Sequence, residues 1–292
     1  MRHADLSDSD CGIAQTLGVV ADWWTWLVVR DVAGGTTRFD ALQESLGISR
    51  RALAERLSRM VDDGLLERVP YSHKPVRHDY VLTDRGRALL PVLVAMQEFG
   101  DRHLLGDGSI TATAGADSSE AERVHALVGR PLPRLTLPTH DGGTLDLPPD
   151  RWQVLYFFPG AAAPGSTAYP PGWGDLPGAA GCTLESTTYA AHHAEFVAAG
   201  AHVAGISTQR SDEQAAFAAH ARLPFPLASD QDARLAAALR LPAFRVAGVD
   251  RFKRQSLLVD PDGVVRHVQM PVTDPAGSVT EMLEVVRELV TA

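Results

Sequence analysis

Residues 178–186 read GAAGCTLES, and the chemistry of the C-terminal part of the chain turns on how that stretch folds. A glycine before Cys182, followed by Thr183, Leu184, Glu185 and helix-compatible residues as far as position 199, predicts a helix that starts at the cysteine. Free backbone amides and the dipole at such a start stabilise a thiolate, the form of cysteine that acts as a nucleophile. Upstream, residues 153–158 are a short apolar run bounded by Trp152 and Pro159. Downstream, 202–207 read as a second strand and 212–221 as a helix, while 255–259 and 264–268 form a hairpin turned at Pro261, Asp262 and Gly263. Residues 129–148 add an N-terminal hairpin. Strands alternating with helices make this an α/β domain. A thiolate that attacks a peroxide oxygen becomes a sulfenic acid, provided that cations or hydrogen-bond donors hold the breaking bond. Arg254 is the candidate cation.

The chain has 292 residues, more than one core usually organises, so two domains are expected. The composition of GDGSITATAGADSSEAE, residues 106–122, is that of a flexible linker, which gives domains at 1–105 and 123–292. The first residues lack the apolar run of a signal peptide, and the most hydrophobic early stretch, 19–33, carries Asp22, Arg30 and Asp31. A cytoplasmic protein without a membrane span is therefore expected. Two cysteines make no disulfide framework and fit a reducing compartment. A net charge of -9 excludes a protein that coats nucleic acid through bulk electrostatics.

In the first domain, Ile13, Leu17, Val20, Trp24 and Leu27 recur at helical spacing and predict one long helix ending near Gly34. A second helix runs from 39 to 46. Gly47 breaks it, Ser49 caps the next, and Leu53, Leu57, Met60 and Val61 form the buried stripe of a third helix that stops at Gly64. Beside that stripe lie Arg50, Arg51, Arg56 and Arg59, where a recognition helix meets base edges and phosphates. Residues 65–69 and 79–82 alternate as two short strands around a tip with His73, Lys74, Arg77 and His78, a basic wing. A solvated helix face is the competing reading of the arginines.

The stretches CGIAQTLGVVADWWTWLVVRDV, GISRRALAERLSRMVDDGLLER and YVLTDRGRALLPVL, with Arg38 and Phe39 opening the second helix, resemble the HxlR family of winged-helix regulators over about residues 10–103. The resemblance implies an α+β winged helix-turn-helix domain, a homodimer, and a two-fold related double-stranded DNA operator with half-sites about one helical turn apart. It also implies that Cys11 sits where several redox-sensing members keep a reactive cysteine. A small buried hydrophobe is the competing reading.

The stretches VLYFFPG, GCTLE, VAGIST, FAAHARLPFPLASD and RQSLLVDPDGVV resemble the thioredoxin-fold peroxiredoxins of the AhpC/TSA type, especially the PrxQ (bacterioferritin-comigratory) branch, over about 129–290. By this likeness Cys182 is the peroxidatic cysteine, Thr183 and Glu185 belong to its helix-start motif, and Arg254 is the active-site arginine. Hydroperoxides and a thiol reductant are the implied partners, with neither metal nor other cofactor. The chain departs from the family in three ways. Asp175 and Ala179 stand where the family has a proline and a Thr or Ser, seven and three residues before the cysteine. The loop 160–181 is longer than the norm, so Pro159 and Thr167 are candidates to fold back and supply the missing groups. Thr187 occupies the place of the resolving cysteine, which leaves Cys11 as the only redox partner within the chain. His192 and His193 are read as helix surface in preference to a metal site. Two functions follow: a peroxide-responsive regulator, or a one-cysteine thiol peroxidase whose winged helix serves dimerisation or targeting.

Overall fold

The computed structural model describes residues 10–74, 76–165, 169–170 and 172–290; the side chain of His73 is not among the described groups. The chain divides after Leu93 into two compact units.

In the first unit, helices α1 (Gly12–Val20) and α2 (Trp23–Ala33) replace the single long helix expected. The break has a local cause. Asp22 adopts extended backbone, and its carboxylate accepts the Trp24 N–H at 2.8 Å, so it caps a new helix instead of continuing the old one. Helix α3 (Phe39–Leu46) ends at Gly47 in the left-handed conformation, φ 63°. Ser49 Oγ accepts the Ala52 N–H at 3.2 Å and starts α4 (Arg50–Asp62). Leu42, Leu53, Leu57 and Met60 close the core of this helix-turn-helix together with Val28 and Val29 of α2.

Strands β1 (Leu66–His73) and β2 (Val76–Leu82) form the wing, paired antiparallel from Leu66 opposite Leu82 to His73 opposite Val76. Both run further toward the tip than the alternating residues indicate, because ladder hydrogen bonds continue where both faces are solvated. Helices α5 (Asp84–Arg87) and α6 (Leu90–His103) follow.

The second unit is built on a five-stranded sheet. Its strands are β5 (Gln153–Phe157), β6 (His202–Ser207), β7 (Leu227–Ser229), β10 (Gln255–Val259) and β11 (Val265–Gln269), in the order β11-β10-β5-β6-β7. β5, β6 and β7 are parallel, and β10 is antiparallel to both of its neighbours. Every residue of β5 is buried, as a central strand covered on both faces requires. Two further hairpins lie outside this sheet: β3 (Leu135–Pro138) with β4 (Thr144–Leu147), and β8 (Ala243–Val246) with β9 (Val249–Phe252).

The helix expected from Cys182 to 199 is two helices, α8 (Cys182–Ala191) and α9 (His193–Ala198), with His192 at the junction. Helices α10 (Ser211–Ala221) and α11 (Arg234–Leu239) complete the crossovers, and α12 (Gly277–Val290) packs on α8, α9 and β11. Val154, Tyr156, Phe158, Tyr189, Phe196, Phe217 and Met282 form the core on that face, and Cys182 is part of it.

Residues 106–122 are seated on the second unit, in contrast to the linker that their composition suggests. Ala112 and Ala114 are buried, and the Ala112 N–H donates to the Pro177 carbonyl at 2.8 Å. Ser118 caps α7 (Ser119–His125), and Glu120 in that helix meets Lys253 at 2.7 Å, with both side chains nearly buried. Small residues fill a shallow groove as well as they form a tether, so composition alone does not separate the two.

Candidate functional site

Gly181 holds φ +104°, and a Cβ on it would lie 2.6 Å from Cγ of Pro275. Only glycine meets both demands, and it aims the chain so that Cys182 is the first residue of α8. The cysteine is 3% exposed. Its S–H faces the Ala179 carbonyl at 3.6 Å, and Nη2 of Arg254 reaches Sγ at 3.3 Å. The same Nη2 lies 3.2 Å from the Ala180 carbonyl, and Nη1 is hydrogen-bonded to Glu185 one helical turn beyond the cysteine. Arg254 is 1% exposed. Its backbone N–H donates to the Ala112 carbonyl at 3.0 Å, so the segment 106–122 borders the site.

Burial pushes the Cys182 thiol above its ordinary value, against the charge of Arg254; Glu185 adds to the rise, and hydrogen bonds from Arg254 and the Gly160 amide oppose it. The ready thiolate expected from the helix start is thus opposed by desolvation. Burial likewise lifts the Glu185 carboxyl to about 7 against the pull of Arg254. Burial works against the Arg254 charge too, but Glu185 and Cys182 outweigh it and the guanidinium is held protonated. One fixed cation between a sulfur and a carboxylate favours whichever partner carries negative charge, including a sulfur that begins to share charge with an attacked oxygen.

Thr183 lies on the exposed side of the first turn of α8, and it lines a depression of about 570 Å³ together with Tyr169, Trp173, Ala179 and Cys182. Thr167 lies outside the described residues. Two groups at this site escape a reading of the sequence. Tyr169 lies on the long loop, and Arg251 precedes Arg254 on the run Arg251-Phe252-Lys253-Arg254. That run carried a usable signal: three cations in four residues, next to an apolar strand, are rarely all solvated, and all three are buried.

In the first unit Arg50 and Arg51 are largely exposed, bound to Asp40 and Glu55 at 2.9 Å each. Arg59 is half-exposed, and Lys74 and Arg77 are exposed at the wing while His78 is half-buried. Ser49 serves as the cap of α4. Arg56 corrects the expected basic face: its side chain turns inward and pairs with Asp22, the cap of α2, so it ties two helices together instead of facing solvent. Cys11 is exposed at the start of α1.

The HxlR-like helix-turn-helix family matches residues 19–107, and the AhpC/TSA family matches residues 128–268. An uncharacterized HTH-type transcriptional regulator from Mycobacterium tuberculosis is 41% identical over 106 residues, 36% of this chain and 67% of that relative. The chain joins an HxlR-like helix-turn-helix domain to an AhpC/TSA domain. A chloroplastic peroxiredoxin Q from Populus jackii is 28% identical over 204 residues, covering 68% of this chain and 87% of that protein. Among solved structures, peroxidoxin BcpB from Mycobacterium tuberculosis is 26% identical, with a TM-score of 0.46 over 56% of this chain and 97% of its own.

Within the AhpC/TSA domain, Ala179 is buried beside Ala112, Trp173 and Phe244, and it offers the sulfur a carbonyl where the family pattern has a hydroxyl. Among the described residues no group of three or more His, Cys, Asp or Glu is arranged to hold a metal, and no helix is long and apolar enough to cross a membrane.

Proposed function

We propose that this chain is a DNA-binding transcription regulator whose AhpC/TSA domain senses hydroperoxide through Cys182. The observation that carries the reading is the 3.3 Å approach of Arg254 Nη2 to the sulfur at the first turn of α8. Cys182, Arg254, Thr183 and Glu185 form the sensing site. Ser49, which caps α4, and Arg50, Arg51 and Arg59 on it, with Lys74, Arg77 and His78 of the wing, contact a double-stranded operator. The protein acts as a homodimer on two-fold related half-sites.

A Cys182 sulfenic acid condenses with the Cys11 thiol, forming an S–S bond and releasing water, and this bridge, within or between subunits, alters operator affinity. A thiol reductant of the cell resets it. The test is binding of the DNA upstream of its own gene, measured with reduced and peroxide-treated protein. Affinity is expected to change on treatment in the unsubstituted protein and to stay constant in Cys182→Ser. No change in either sinks the reading.

The second reading, a one-cysteine peroxidase resolved by an external thiol, draws on Thr187, which leaves α8 without a second cysteine. It expects sustained peroxide turnover with a small thiol and no preference for any operator.

A further inference from the structure

Two aromatic groups outside the Arg254 cluster, Tyr169 and Trp173, line the same depression, and Arg251 lies against Trp173. Tyr169 and Cys182 both line it, with Tyr169 39% exposed. The tyrosine oxygen accepts the Ala162 N–H at 3.1 Å, and its own O–H remains a donor. Its ring packs against Trp173 at a 30° tilt, 5.3 Å between centroids, and the guanidinium of Arg251 lies 6.0 Å from the Trp173 ring centroid. Arg251 is 8% exposed and its Nε has no hydrogen-bond partner; burial works against its charge, and Glu213, then Cys182 and Tyr169, favour it without a direct ion pair among the described residues. A buried cation in that state is costly unless it serves negative charge nearby. It packs on Gly160 so closely that a Cβ there would lie 3.0 Å from Nη1, and the Gly160 backbone is among the groups that lower the Cys182 thiol.

We propose that Tyr169 is a catalytic residue of the thiol site, donating a hydrogen bond to the peroxide oxygen that Cys182 attacks, and that Arg251 is a positioning residue holding a second positive charge behind it. The proposal rests on the hydroperoxide-sensing reading. Tyr169 thereby brings a phenol to a site where Ala179 has no hydroxyl. In the step, the Cys182 proton is lost to solvent and the thiolate attacks the terminal oxygen of ROOH. An S–O bond forms and the O–O bond breaks, its electron pair leaving on RO⁻, which takes a proton from water. Sulfur is oxidised by two electrons and the peroxide reduced by two. Tyr169 and Arg254 bridge the two oxygens as charge moves between them.

Tyr169→Phe in the full chain keeps the ring against Trp173 and removes the phenol oxygen, both the donor toward peroxide and the acceptor of the Ala162 N–H. Its rate of sulfenic acid formation with hydrogen peroxide is expected to fall by a factor of about 10²–10³. Its rate of alkylation by iodoacetamide, which offers no oxygen to that donor, and the pH midpoint of that rate are expected to stay as they are. Arg251→Gln is expected to slow the peroxide reaction and to move the alkylation midpoint to higher pH, a change that a purely structural arginine does not make. Equal losses toward both reagents in Tyr169→Phe, or no loss toward peroxide, overturn the proposal. An unsubstituted protein inert to peroxide sinks the sensing reading with it, whereas a reactive protein matched by an equally fast Tyr169→Phe sinks the tyrosine alone.

Discussion

At the sulfur, burial and two neighbouring charges set the balance between thiol and thiolate. Burial holds the Cys182 thiol up, Arg254 draws it down and Glu185 adds to the rise. Glu185→Gln keeps a hydrogen-bond acceptor for Arg254 while deleting the charge, so the pH midpoint of Cys182 alkylation is expected to move downward. Arg254→Met removes the counterweight, and the midpoint is expected to move upward while peroxide reactivity falls by about 10²–10³. Both are read by alkylation against pH and by stopped-flow oxidation. Cys182, Glu185 and Arg254 are legible in the sequence because each sits in a motif: a glycine-cysteine helix start, or a basic residue that opens a strand. Tyr169 is not, since a loop tyrosine has no periodicity; Arg251 is legible only as one of three cations in four residues, and its place against Trp173 emerges once the hairpin β8–β9 is folded.

At the level of the element, caps decide more than periodicity. The apolar spacing of the first helices is unbroken across Ala21 and Asp22, and only the affinity of an aspartate for a helix start reveals the joint. Arg56 belongs to that joint. Arg56→Ala is expected to lower the thermal stability of the first unit, because it leaves the half-buried Asp22 carboxylate without its cation. Arg51→Ala, at 90% side-chain exposure, is expected to leave stability unchanged and to weaken operator binding, with the salt dependence reduced by about one phosphate contact. Calorimetry and fluorescence anisotropy separate the two.

Helix α11 carries a pH dependence of its own. Asp230, 1% exposed, accepts the N–H groups of Leu235 and Ala236 at 2.9 and 2.8 Å, and burial pushes its carboxyl up to about 7. The folded chain therefore binds this proton more tightly than the unfolded chain, whose carboxyl titrates near about 4. Its stabilising contribution is complete below that value and is lost as pH rises to about 7. Urea denaturation of Asp230→Asn across that window is expected to show a flatter profile than the unsubstituted protein.

For the whole molecule, the two folds are legible because each repeats a pattern at every level: strand-helix alternation and a buried central strand in one part, capped short helices and an alternating hairpin in the other. The division between them is less legible. Gly, Ser, Thr and Ala in residues 106–122 describe a tether by composition, yet Ala112 and Glu120 spend their backbone and side-chain groups on Pro177, Arg254 and Lys253. Glu120→Ala leaves Lys253 buried without its carboxylate, and a loss of about 3 kcal/mol is expected in the denaturant unfolding of the second unit.

That seating bears on anyone who splices these parts. A chimera that cuts within 106–122 to hang a foreign reader on the thiol module discards the backbone strap over Arg254, and the transplanted reaction centre arrives misassembled. A junction placed ahead of Val94 carries the strap along with its sulfur.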